Sequence, residues 1–121
     1  MAHILLVEDD ENQCLLYREE LEQDGHKVDY VTNGKEALEF VQKSRPDVVI
    51  MDINMPKMDG IEAMGRLLSK DNQIPIILNT AYRNYKNNFM TWAADAYVVK
   101  SADLTELKET LKRVLAKVKS S

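Results

Sequence analysis

Short apolar runs alternate with longer amphipathic segments along the whole chain. Five runs read as strands: His3–Val7, Lys27–Val31, Asp47–Met51, Pro75–Asn79 and Ala96–Val99. Ile4-Leu5-Leu6-Val7 and Val48-Val49-Ile50-Met51 show no alternation, the mark of strands buried on both faces. Val28-Asp29-Tyr30-Val31 alternates in part, which places its strand near a sheet edge; the other four are more uniformly apolar. Between the strands, apolar residues recur at helical spacing. A segment from Glu11 to Asp24 stops at Gly25, a left-handed terminator. Asn33-Gly34-Lys35-Glu36, Asp59-Gly60-Ile61-Glu62 and Asp103-Leu104-Thr105-Glu106 each set a capping side chain three positions ahead of a glutamate. Behind these caps run the stripes Ala37, Leu38, Val41, then Ile61, Met64, Leu67, Leu68, and finally Leu104, Leu107, Leu111, Val114, Val118. Asn84 to Ala94, rich in asparagine and aromatic residues, is the weakest helical pattern. Five strand–helix units in alternation predict an α/β fold: a parallel sheet with helices on both faces.

Composition narrows the class. A chain of 121 residues can bury about two-thirds of its unfolded surface and needs no disulfide or structural metal to fold. At 45% hydrophobic and 30% charged it has the make-up of an ordinary globular domain. The formal net charge is −4, and the basic residues are dispersed apart from Lys108, Lys112, Arg113, Lys117 and Lys119, which argues against direct nucleic-acid binding. The lone Cys14 excludes an internal disulfide and fits a reducing compartment. No apolar stretch approaches the ~20 residues of a membrane span, and no signal-peptide pattern opens the chain. The expectation is a cytoplasmic protein.

The candidate chemistry sits where the apolar runs end. The first runs into Glu8-Asp9-Asp10 and the third into Asp52. In one parallel sheet these acids meet at the carboxyl edge, where open α/β sheets bind ligands. Carboxylates gathered there repel by roughly 4 kcal/mol per close pair at an effective dielectric near 20. A hard divalent cation offsets that cost. Thr80 and Lys100 follow the fourth and fifth runs, and Met55-Pro56-Lys57-Met58-Asp59-Gly60 forms a loop after Asp52.

With these pieces in this order, the chain resembles the receiver domain of two-component response regulators over residues 1–121, read as one domain. The carriers are the acidic pair Glu8 and Asp9, the aspartate Asp52, the Met55-Pro56 to Asp59-Gly60 loop, Thr80, and Tyr97 with Lys100. The resemblance implies a three-layer, doubly wound (βα)5 fold with a five-stranded parallel sheet of order 2-1-3-4-5. It implies a switch in signal transduction that accepts a phosphoryl group on Asp52 from a sensor histidine kinase or phosphotransfer protein, with Mg2+ bound. Asp9 and Asp52 would be direct metal ligands, the backbone carbonyl of Asn54 a third, and Glu8 would hold metal-bound water. Lys100 would pair with a phosphoryl oxygen and Thr80 would bond another. Tyr97 would swing inward as Thr80 moves, altering the surface of the fourth helix, fifth strand and fifth helix. Such a domain is no enzyme beyond catalysing its own phosphorylation and dephosphorylation. Its output is a downstream protein target or an effector domain outside this sequence, as a monomer or a phosphorylation-dependent dimer.

Two departures stand out. The acidic pair is Glu-Asp, not Asp-Asp. Ser101 follows Lys100 where the family usually has a cis-proline, so the bond is either cis without proline or the loop is shifted. Asp10 extends the acidic run, but counting from the strand end favours Asp9 as the ligand. Alone, Asp52 would read as a turn residue, Thr80 as a cap and Tyr97 as a strand aromatic. His3, His26 and Cys14 read as structural, Asp59 as a cap, and Tyr82 as a shield against attacking water. Three rivals remain. A metal-dependent phosphohydrolase is faintly suggested by Asp52-Ile53-Asn54, but a second acid and a cap are missing. A degenerate receiver conflicts with the intact acid, hydroxyl and lysine set. A flavin binder lacks its phosphate loop.

Overall fold

The computed structural model describes residues 2–53, 60–71, 73–81, 94–101 and 103–120. Among them the strands are β1 (His3–Val7), β2 (Lys27–Val31), β3 (Val48–Met51), β4 (Ile76–Thr80) and β5 (Ala96–Val99). The helices are α1 (Glu11–Gln23), α2 (Gly34–Lys43), α3 (Gly60–Lys70) and α4 (Thr105–Ser120). All strand pairs are parallel, in the order β2-β1-β3-β4-β5. The expected doubly wound α/β sheet is therefore present. The Asn84–Ala94 helix expectation apart from Ala94, the Met55–Gly60 loop apart from Gly60, and the Asp59 cap lie outside the described residues.

The sheet separates two apolar cores. Ile4, Leu6, Val48, Ile50 and Ile77 point to one face, where Cys14, Tyr17 and Leu21 of α1 and Leu107, Leu111 and Val114 of α4 cover them. Leu5, Val7, Val49, Met51, Ile76 and Leu78 point to the other, under Ala37 of α2 and Ala63, Met64 and Leu67 of α3. Consecutive strand residues alternate between the two cores, so the unbroken apolar runs are buried on both sides. Each such side chain contributes on the order of 1.5–3 kcal/mol. β2 is one edge, as its alternation indicates. β5 is the other, with Ala96, Tyr97 and Val99 only partly buried, an edge its apolar sequence does not announce.

Capping follows the sequence closely. Asn33 accepts from the Glu36 amide, while Glu36 reaches back to the Thr32 amide and hydroxyl. α1 ends in a Schellman arrangement: the His26 amide donates to the Leu21 carbonyl at 3.3 Å and Gly25 to Glu22 at 3.0 Å. Gly25 has φ 92°, where a side chain would be strained. The Asp103 carboxylate accepts from the Thr105 amide at 2.9 Å at the start of α4. Among the described residues no helix is long and apolar enough to cross a membrane.

Candidate functional site

Sheet order reverses between β1 and β3: β2 lies on the far side of β1, and β4 and β5 continue beyond β3. The crevice at their carboxyl ends is where open α/β sheets take ligands. Glu8 and Asp9 leave β1 there and Asp52 leaves β3. Backbone pairing continues one residue past each strand. The Glu8 amide donates to the Val31 carbonyl at 3.1 Å, the Asp52 amide to Val7 at 3.0 Å, and the Lys100 amide to Thr80 at 2.7 Å. The candidate side chains of Glu8, Asp52 and Lys100 thus spring from backbone held by the sheet, not from loose loop.

Carboxylate oxygens of Glu8, Asp9 and Asp52 lie within 4.8 Å of one another. Glu8 is 2% and Asp52 7% exposed, while Asp9 faces solvent. Lys100 reaches in from β5, its Nζ bonding Glu8 Oε1 and lying 2.9 Å from Asp52 Oδ2. Its ammonium offsets part of the repulsion between the acids. Burial would lower the Lys100 pKa, but hydrogen bonds to Glu8 and Asp52, with their charges, outweigh it and raise it. Burial pushes the Glu8 carboxyl up, and Asp9 adds to that, against the downward pull of Lys100 and the Asp10 amide.

Asp10 separates cleanly from this group. It is the N-cap of α1, its Oδ1 accepting from the amides of Asn12 at 3.0 Å and Gln13 at 3.4 Å. Thr80 ends β4 fully buried, one strand over from Asp52. Tyr97 is partly buried against the α2/α3 core, in register with Leu78. There is no cis peptide bond among the described residues, so Lys100–Ser101 is trans, and Lys100 still reaches both acids. Asn54 and Tyr82 lie outside the described residues.

Sequence reasoning did not find the Glu8–Lys100 pair, since nothing in periodicity links residues 92 positions apart. It also missed that the Cys14 thiol donates to the Glu8 carbonyl at 3.2 Å. Burial above all, then the nearby acids, push that thiol up to about 12, so it stays protonated as a donor.

An all-oxygen set with two buried acids suits a hard cation such as Mg2+, which keeps several waters and needs few protein ligands. The arrangement can bind that ion and offer the Asp52 carboxylate as a nucleophile beside a fixed ammonium.

Known proteins match this chain throughout. A family model described as the response regulator receiver domain covers residues 4–112. Sporulation initiation phosphotransferase F of Bacillus subtilis is 32% identical over 114 residues, covering 93% of this chain and 92% of that protein. Regulatory protein AtoC of Escherichia coli is 36% identical over 114 residues, but there the chain spans only 25% of the relative's length. Response regulator protein TrrA of Thermotoga maritima, solved in complex with Mg2+–BeF, superposes with TM-score 0.91 at 43% identity, covering 94% of this chain and 99% of that one. Its complex with histidine kinase ThkA matches with TM-score 0.90 at 43% identity, covering 95% and 99%.

Proposed function

Because the chain belongs to the response regulator receiver domain family of two-component signal transduction, we propose that Asp52 accepts a phosphoryl group from a histidine kinase or phosphotransfer protein. The observation that carries this reading is the convergence of Glu8, Asp9, Asp52 and Lys100 at one switch point of the sheet. The relative TrrA, solved with Mg2+–BeF and with a histidine kinase, supports the metal and the partner.

The reaction is a displacement at phosphorus. An Asp52 oxygen attacks, the O–P bond of an acyl phosphate forms, the donor's N–P bond breaks, and the freed imidazole takes a proton from water. Such transfers depend on alignment and charge stabilisation more than on covalent chemistry by the protein. Asp9 and Asp52, with the carbonyl of Asn54, would hold Mg2+, which when bound neutralises charge on the phosphoryl oxygens. Lys100 supplies a compact cation to a phosphoryl oxygen, and Thr80 a hydroxyl. The phosphoryl group brings a charge of about −1.5 to −2 and three acceptor oxygens. Movement of Thr80 toward them would vacate space into which Tyr97 swings inward, altering the surface along β5. Turnover of exogenous phosphomonoesters is not part of this activity. The output passes to a protein target or to an effector domain of a longer chain.

Intact-mass measurement with acetyl phosphate and Mg2+ tests the proposal. One phosphoryl increment, mapped to Asp52, lost in Asp52→Asn and lost with chelator, is expected. An acid-stable label on another residue, or labelling indifferent to chelator, overturns it.

A further inference from the structure

We infer that α1 and α4 together form a self-complementary face on which a second copy of this chain docks. Leu15 and Leu16 of α1 are 46% and 50% exposed, the only large apolar side chains so exposed among the described residues. A lone exposed leucine is ordinary, but an adjacent pair beside a groove points to a contact surface. Leu16 borders the groove between the two helices, a cavity of about 230 Å3 that it shares with Glu20, Asp103, Leu104, Thr105 and Lys108.

Charge selects the occupant. The outer side of α1 is acidic, with Glu11, Glu19 and Glu22 exposed, and the second half of α4 is basic, with Lys112, Arg113 and Lys117 exposed. Lys108 already takes Glu20 at 3.2 Å and Asp24 at 3.5 Å across the groove. Among the described residues no ion pair engages Glu19, Glu22, Lys112 or Arg113. Opposite charges on neighbouring helices of one face suit a two-fold copy, in which each patch meets the other's complement. An axis along the groove sets α1 of each copy over α4 of the other and keeps the level of every residue along the helices. Lys108 fixes those levels, because it reaches Glu20 and Asp24 and Glu22 lies between them in sequence. Lys112 stands about 6 Å further along its helix, a gap that long charged side chains span. Glu19 and Glu22 of each copy then meet Lys112 and Arg113 of the other, while Leu16 at the groove meets its own equivalent. Each contact occurs twice, and the assembly closes at two copies. Two helices about 20 Å long and about 10 Å apart offer roughly 400 Å2 in plan, below the ~800 Å2 per partner of a standard interface. The dimer is therefore weak, and its rim charges decide whether it forms.

The test is analytical ultracentrifugation of the full chain, unphosphorylated and in chelator. Its mass should rise with concentration from 13.9 kDa toward twice that and no further. Association should weaken on the order of 10-fold as screening tightens from about 10 Å at 0.1 M salt to about 3 Å at 1 M. Glu19→Lys with Glu22→Lys should be monomeric, and so should Lys112→Glu with Arg113→Glu. An equal mixture of the two variants should associate again, because both swapped contacts are then of opposite sign; that recovery also requires both variants to be folded. Leu16→Ser should weaken association with no change of charge, and Glu39→Lys on α2, across the sheet, should leave it as it was. A chain monomeric throughout overturns the proposal and leaves this face to a partner of another kind. Variants that associate as tightly as the unsubstituted chain, a mixture no tighter than either variant alone, or growth past two copies overturns it as well.

Discussion

Replacing Lys100 by methionine keeps most of the side chain's volume and removes its charge. Glu8 and Asp52, 2% and 7% exposed, then face each other and Asp9 without a cation. At 2.9 Å from Asp52 Oδ2, the ammonium attracts that carboxylate by roughly 5–6 kcal/mol at an effective dielectric near 20. Desolvation of the three groups cancels part of this, so the net value of the pair is smaller. Removing one partner from a buried pair nevertheless typically costs about 3–5 kcal/mol, because the remaining charge is left uncompensated. That is a large share of the 5–15 kcal/mol expected for a domain. With a urea slope of about 1–3 kcal/mol per molar, the midpoint should fall by about 1–5 M. The assay is urea unfolding followed by circular dichroism at pH 8, with chelator and then with Mg2+. Metal and ammonium neutralise the same oxygens, so Mg2+ should stabilise Lys100→Met more than the unsubstituted protein. Metal at a hundred times its Kd supplies about 2.7 kcal/mol. The penalty should also shrink toward lower pH. A carboxyl whose folded pKa is raised, as Glu8's is, binds its proton first in the folded state and so adds stability as pH falls. A loss below ~1 kcal/mol in chelator, or equal stabilisation of both proteins by Mg2+, would refute this electrostatic account.

Two further predictions concern neighbouring features. Asp10→Ala removes the acceptor of the Asn12 and Gln13 amides and should cost about 1 kcal/mol in urea unfolding, with labelling of Asp52 intact; loss of labelling in a folded variant would put Asp10 among the metal ligands. His26 accepts the Ala2 amide at Nδ1, 3.2 Å away, and its pKa is lowered, chiefly by burial. The unfolded chain therefore takes up this proton first, so the His26 contribution is complete above about pH 6.5 and is lost as pH falls below it. His26→Gln should flatten the stability profile below about pH 6.5 relative to the unsubstituted protein, and parallel profiles would disprove the assignment.

Much of this was legible in the residues because local signals and tertiary packing agree. β1, β2 and β5 begin and end where their apolar runs do. Asn33 and Gly25 perform the cap and stop that their side chains suit. The third strand starts one residue later than expected, at Val48; Asp47 meets His3 through its amide, which donates to the His3 carbonyl at 2.7 Å, and through its carboxylate, which accepts the His3 amide at 2.7 Å. The fourth is shifted by one, ending at Thr80, whose carbonyl takes the Lys100 amide. What stayed hidden are side-chain bonds across long stretches of chain. His3 pairs with Asp29, Asp95 holds the Ile76 amide, and Lys108 of α4 bridges to Glu20 and Asp24 by α1. Each needs two elements already packed, and no periodicity encodes it. Asp9 was placed ahead of Asp10 as a ligand by counting from the strand end; the cap that Asp10 makes on α1 was a separate feature that the acidic run did not announce. Lys100 was expected near a phosphoryl oxygen; its prior engagement with Glu8 required the fold.

The amides of Glu8, Asp52 and Lys100 are sewn into neighbouring strands, and this gives the molecule two tempos. Hydrogen exchange at those three positions should require opening of the sheet itself, the slowest event available to the domain. The outer turns of the helices can open, drift and be rewritten far more often. Recognition of different partners can therefore diversify on the helical periphery without retuning the reacting atoms beneath.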